Sequence, residues 1–340
     1  MNKLLSYYTS LFGTSGSERD IRQGIINEIK AHAEVKVDRL GNIIALKRGE
    51  NPDCPIKVMV DAHMDEVGLM VTAITDDGYL KFDKIGGIDD RTLCAKQVII
   101  GKNKIKGVIG QTAPHLLTKD ERDKVVKYSD MFIDIGAKNK EDAERYVKVG
   151  DVVGCSTSYA EFGEGFVRAK ALDDRVGCQI LTELIQGPVP FDTYFVFSVM
   201  EEIGCIGAGC AASEIKPDYC IVVEGTTAQD TQPDLEHSDV CKLGCGPVIS
   251  FMDGSTIYDS NFLKLAFEAA KEQGINYQLK RAVAGGNNAG RIQRTLSGIN
   301  TLAISVPVRY IHTPCSVASL DDIEKTKFLV LAVLKRLAIN

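Results

Sequence analysis

The stretch Phe195–Ala208, FVFSVMEEIGCIGA, limits the possible folds of this chain more than any other. Tyr194, Phe195, Val196, Phe197 and Val199 form a β-branched and aromatic run that predicts a buried strand. The run stops at Glu201 and Glu202, and glycines follow at Gly204, Gly207 and Gly209. Burying a charge is costly unless a cation or a donor meets it, so a core strand has no structural use for two terminal carboxylates. In open parallel α/β sheets, ligands bind at the carboxyl ends of strands. Two solvated loop glutamates are the alternative, and this stretch alone leaves both open.

The rest of the chain supplies the context. Its 340 residues suffice for one large core plus an insertion. A formal net charge of −6 argues against nucleic acid or an anionic membrane as the main partner. The start has no charged region followed by an apolar one, and no apolar run approaches ~18 residues, so a cytoplasmic protein is expected. Ten cysteines include no CxxC pair, and Cys178 and Cys220 sit among apolar neighbours. Reduced packing residues are expected rather than a disulfide framework.

In chain order, Ser17 and Asp20 form an S-x-x-D capping signature before a helix over about 17–32, with Ile21, Ile25, Ile26 and Ile29 at helical spacing. Val35–Val37 and Asn42–Leu46 read as a strand pair, and 57–62 as a strand ending at His63-Met64-Asp65-Glu66. From about Gly68 to Gly163 the helical period is lost until 140–146. Short alternating segments take its place, at 69–74, 79–82, 97–100, 104–109 and 131–135. They predict a small, partly closed barrel inserted into an α/β pattern. That pattern resumes with a helix over 174–185, strands over 193–200, 219–223 and 247–251, and a helix near 259–273. A strand over 301–306 and a last helix from Ser319 to about Leu337, with Asp322 completing a second S-x-x-D cap, finish the chain. The expected organisation is a discontinuous α/β domain, 1–68 with 164–340, interrupted by a β-rich unit over 69–163.

Four predicted strand ends then carry metal-type ligands: His63 with Asp65, Glu201 with Glu202, Glu224, and His312. Asp173-Asp174 opens the helix at 174. Imidazole and carboxylate together hold hard or borderline divalent cations. Two such ions need about five protein ligands, one of them bridging. Residues i and i+2 of an extended chain face the same way, so Asp65 lies on the side of His63 and suits a carboxylate that fixes its tautomer. Adjacent Glu201 and Glu202 must diverge, which lets one bind metal while the other holds a water. Asp173 alone reads equally well as a helix N-cap. His32, His115 and His237 lack acidic strand-end company and are set aside.

The motifs DAHMDEVG at 61–68, KALDDRVG at 170–177, VMEEIGCIGA at 199–208, VVEGTTAQD at 222–230 and RYIHTP at 309–314 follow one another in order. In these the chain resembles the dinuclear metallo-aminopeptidases that include glutamyl aminopeptidase, the tetrahedral (TET) aminopeptidases and proteins named cellulase M. The resemblance covers essentially the whole chain. It implies a zinc-peptidase-like mixed sheet flanked by helices, with an inserted barrel-like domain. His63, Asp173 and Glu224 would hold one metal, and bridging Asp173, Glu202 and His312 the other. Zinc is the expected ion, with cobalt or manganese as alternatives. Glu201 would be the general base and Asp65 the support of His63. Peptide substrates and assembly into a dodecamer come from the resemblance alone. The chain departs from the family pattern twice: many relatives carry Asp at Glu224, and Thr-Asp-Ala stands where this chain has Asn287-Asn288-Ala289. Asn288 would thereby remove a negative charge near the substrate. Rival readings are an N-acyl amino acid deacylase with the same metals, a metal-free glycosidase, and a catalytically weak assembly protein.

Overall fold

Two β systems share the chain in the computed structural model, which describes residues 1–231, 240–283 and 285–339. The first collects β1 (Glu34–Val37), β2 (Ile43–Lys47) and β3 (Val58–His63). The second is the run β4 (Gly68–Ile74), β5 (Leu80–Ile85), β6 (Gln97–Ile100), β7 (Ile105–Gly110), β8 (Phe132–Asp134) and β9 (Val152–Cys155). The chain then rejoins the first system through β10 (Ala160–Phe162), β11 (Phe166–Ala169), β12 (Thr193–Ser198) and β13 (Tyr219–Thr227). It completes that system with β14 (Val248–Ile249), β15 (Gln278–Leu279), β16 (Asn300–Arg309) and β17 (Ser316–Ser319). Helices α1 (Lys3–Ser10), α2 (Arg19–Ile29), α5 (Leu172–Gln186), α6 (Ile206–Ile215), α7 (Ser260–Glu272), α8 (Asn288–Gln293) and α9 (Leu320–Leu337) accompany the first system; α3 (Lys119–Arg122) and α4 (Lys140–Ala143) accompany the second.

The first system is an 11-stranded mixed sheet ordered β1-β2-β12-β3-β13-β16-β17-β11-β10, with β14 beside β16 and β15 beside β14. Its centre, β12-β3-β13-β16, is parallel. Parallel strands covered on both faces need near-continuous apolar sequence, and β3 and β12 are buried almost throughout. Helix α5 packs on β3 and β13, while α6 and α8 pack together over β12, β13 and β16. All four central strands point their carboxyl ends the same way. Register sets Ser198 level with His63, and Val222 level with Asp61, so Glu224 and His63 each lie two residues further along adjacent strands.

Strands β4-β5-β8-β7-β6-β9 close into a barrel, which leaves no free edge. It has its own apolar centre, including Val71, Phe82, Val98, Ile109, Ile133 and Val153. The expected β-rich interval ended at 163, but Ala160–Phe162 already pairs with β11 in the large sheet.

Three local expectations are corrected. Ser17 does not cap α2: its N–H closes a turn onto the Thr14 carbonyl at 2.7 Å, and Glu18 takes the cap position without a side-chain bond. Glu224 lies inside β13 rather than at its end, because β13 and β16 stay paired as far as Thr227 and Val308. Asp173 is not the N-cap of α5. Both Asp173 and Asp174 have non-helical backbone angles, and it is Asp174 Oδ1 that accepts the Gly177 N–H at 2.9 Å. The ten cysteines are unpaired, with Cys178 and Cys220 buried. Among the described residues no helix is long and apolar enough to cross a membrane.

Candidate metal centre

Asp173 stands between two imidazoles. Its Oδ1 lies 3.3 Å from His63 Nε2 and its Oδ2 3.4 Å from His312 Nε2. Glu202 Oε2 approaches the same His312 nitrogen at 3.1 Å. His63, Asp173 and Glu202 each offer a ligand atom within 4.8 Å of the others. The close approach of β13 depends on Gly225, since a Cβ there would stand 3.0 Å from Asp173 Oδ1. Because Asp174 does the capping and also accepts the His63 N–H at 3.2 Å, the Asp173 carboxylate is left to face the imidazoles.

Asp65 organises the opposite side of His63. Its Oδ1 lies 3.4 Å from His63 Nδ1. It accepts the backbone N–H of Glu201 at 3.0 Å and of Glu202 at 3.2 Å, and the Ser15 hydroxyl at 2.6 Å. One fully buried carboxylate therefore ties the ring of His63 to the loop carrying both glutamates. The glutamates diverge as expected: Glu201 Oε1 takes a contact from Cys205 Sγ at 3.4 Å, while Glu202 turns to His312. Glu224 stands apart from this inner group, its Oε1 accepting from Asn287 Nδ2 at 2.8 Å.

The loops that carry these groups are strained. Ala171, Met200, Cys205, Tyr310 and His312 all adopt left-handed φ between 54° and 58°. Non-glycine residues in that region are uncommon and concentrate at functional sites. Gly86 and Gly87, just past β5 of the barrel, pass beside the site: a Cβ on Gly87 would lie 3.5 Å from His312 Nδ1.

The electrostatics call for a cation. Burial opposes the charge on Asp173, yet His312 and His63 outweigh it and hold that carboxyl well below the usual range. Burial disfavours the His63 imidazolium, but Asp173 and Asp65 raise it well above its ordinary value. Burial, reinforced by Asp173, pushes the Glu202 carboxyl up to about 8, and burial raises Glu201 and Glu224 as well. Among the described residues, Glu202 Oε1 is buried with no hydrogen-bond partner. An orphaned carboxylate oxygen among carboxyls driven toward neutrality, with two imidazoles beside them, fits a divalent ion, whose charge reverses each of these penalties.

Several residues escaped the sequence reading. Glu66 receives both Lys170 Nζ, at 2.7 and 2.8 Å, and Arg175 Nη2 at 3.2 Å, a buried ion cluster beside the centre. All three lie within motifs already noted, but their mutual pairing spans more than a hundred residues. Asn288 does not face substrate space. It is buried, donating to Asp61 Oδ2 at 2.8 Å and to Ser198 Oγ at 2.9 Å. The missing charge is therefore missing from the core, where an aspartate would confront Asp61. His32 and His115 lie away from the centre, and His237 falls outside the described residues.

Residues 41–329 match the sequence model of the M42 glutamyl aminopeptidases. A protein named as an aminopeptidase in Acetivibrio thermocellus is 44% identical over 337 residues, 98% of each chain. The solved TET aminopeptidase of the marine sediment archaeon Thaumarchaeota archaeon superposes with a TM-score of 0.93 and 34% identity, over 98% of this chain and 96% of that one. The TET1 peptidase of Pyrococcus horikoshii, which assembles into a tetrahedron or a large octahedral shell, gives a TM-score of 0.85. It is 36% identical, over 97% of this chain and 98% of that one.

Proposed function

Because the chain belongs to the M42 glutamyl aminopeptidase family, we propose that it releases N-terminal residues from peptides at a dinuclear metal centre, with Glu201 as the general base. The observation that carries this reading is Asp173, whose two oxygens face two different imidazoles. His63, Asp173 and Glu224 would hold one ion, and Asp173, Glu202 and His312 the other. Zinc is the expected metal, and cobalt or manganese could replace it. When bound, the pair supplies a water acidified from about 15.7 towards ~7 and a Lewis acid for the substrate carbonyl.

The protein groups do the rest. Glu201 is a neighbour of this centre that binds neither imidazole, and burial keeps its proton affinity above that of a free glutamate. It accepts the proton of the attacking water and returns it to the leaving amine. Asp65 fixes both the His63 ring and the backbone of Glu201, so base and ligand keep their relative positions. The acidic surroundings suit a cationic, unblocked substrate terminus, which favours removal of N-terminal residues over internal cleavage. The inserted barrel, β4 to β9, walls one side of the centre through Gly86 and Gly87. Self-association follows the relatives, one of which is a dodecamer in its crystal.

The test is hydrolysis of a panel of aminoacyl amides and their N-acetylated counterparts, after reconstitution with zinc, cobalt or manganese. Unblocked substrates should be cleaved, and chelator should abolish the rate. Turnover confined to N-acetylated substrates, or unaffected by chelator, would replace this reading with a deacylase or a metal-free hydrolase.

A further inference from the structure

Asn287 reaches beyond its role as the cap of α8. Its Oδ1 accepts the Ala289 N–H at 2.7 Å, which fixes the amide so that Nδ2 points the other way. From there Nδ2 donates to Glu224 Oε1 at 2.8 Å and to the Tyr258 hydroxyl at 3.2 Å. Tyr258 donates its own proton to Asp253 Oδ2 at 2.6 Å, so its oxygen is free to accept. Asp253 is held in turn by the Ser255 N–H at 2.7 Å and its hydroxyl at 3.0 Å. A longer approach of Nδ2 to Asp253 Oδ2, 3.5 Å, completes the contacts of this amide. Asn287, Tyr258, Asp253 and Glu224 are buried, Ser255 at the outer end is exposed, and the hydrogen-bonding directions agree from Ala289 to Glu224.

The effect on Glu224 is one-sided. Its Oε1 takes the Asn287 amide and lies 3.4 Å from the Ser305 hydroxyl, while Oε2 carries no hydrogen bond among the described residues. We infer that Asn287 is a positioning residue for Glu224: it ties down Oε1 and reserves Oε2 for the metal. This rests on Glu224 being a ligand, as proposed above. Hydrogen-bonded partners of this kind orient metal ligands, and losing one typically costs 10–100-fold in metal affinity.

Asn287→Ser keeps a capping oxygen for the Ala289 N–H but withdraws the amide donor. Titrating zinc into the metal-free protein against a competing chelator should show one of two sites weakened about 10–100-fold. The urea midpoint of the metal-free protein reads separately the stability lost when the buried Glu224 and Tyr258 oxygens lose this donor. Asn287→Thr offers the same readout if the serine variant does not fold. Glu224→Asp is one methylene shorter and withdraws from Asn287, so adding Asn287→Ser to it should cost little more. The inference falls if Asn287→Ser binds both zinc ions like the unaltered protein, or weakens only the metal-free fold. It falls equally if the two single losses multiply in the double variant. If Glu224→Ala takes up as many zinc ions as the unaltered protein, Glu224 is no ligand, and the proposed ligand set falls with this inference.

Discussion

Glu201 and Glu202 adjoin in sequence yet face different partners, which makes their roles separable. Glu201→Gln should fold, keep both metals and lose about 10²–10⁴-fold in rate, the usual cost of a general base. Glu202→Gln removes a carboxylate that meets His312 and should lose one metal as well as activity. Metal analysis and turnover on the same preparations check both. Near-normal turnover by Glu201→Gln with its metals in place would assign water activation to another group. At this scale much of the site was legible, because His63, Asp173, Glu202 and His312 are chemically out of place at the ends of apolar segments. The direction of a buried side chain was not. Asn288 carries no periodic signal that would distinguish a contact with Asp61 from one with substrate, and only its placement against Asp61 of β3 and Ser198 of β12 decides it.

Two helices open with the same S-x-x-D signature, and only one uses it. Ser319 has extended backbone angles, φ −97° and ψ 131°, and its hydroxyl accepts the Asp322 N–H at 3.4 Å. Ser17 is drawn into the turn from Thr14 instead. Ser319→Ala should therefore cost about 1 kcal/mol, and Ser17→Ala should stay within about 0.5 kcal/mol. Urea midpoints of the two variants test the contrast; equal losses would contradict it. The signature names residues able to cap, but the turn before the helix determines whether the cap forms. The left-handed residues that aim the site, such as Met200 and His312, were likewise invisible, since nothing in their side chains favours that conformation.

Across the whole molecule, the proposed ligands come from five parts of the chain from His63 to His312, so metal binding and folding are linked. Zinc at a hundred times its Kd contributes about 2.7 kcal/mol per site, or ~4 °C per site in a chain of this size. Chelation should lower the melting transition by at least that much, and an unchanged transition would show that the ions do not hold these segments together. The alternation of α/β and β-rich stretches was legible from periodicity. Closure of the barrel was not, because β9, absent from the sequence reading, has to pair with both β4 and β6 to complete it. Glu66 lies between β3 and β4, where the chain leaves the large sheet for the barrel, and Lys170 directly follows β11, after the chain has returned; the two are 104 residues apart in sequence and in direct contact. They form a neck from which a closed loop hangs. The entropy of closing such a loop grows only with the logarithm of its length, about 0.6 kcal/mol per doubling. Strands can therefore be added to or trimmed from the hanging unit over generations while the cost of bringing His63 to Asp173 barely changes. The part of the chain that passes beside His312 is thus also the part whose size is least constrained.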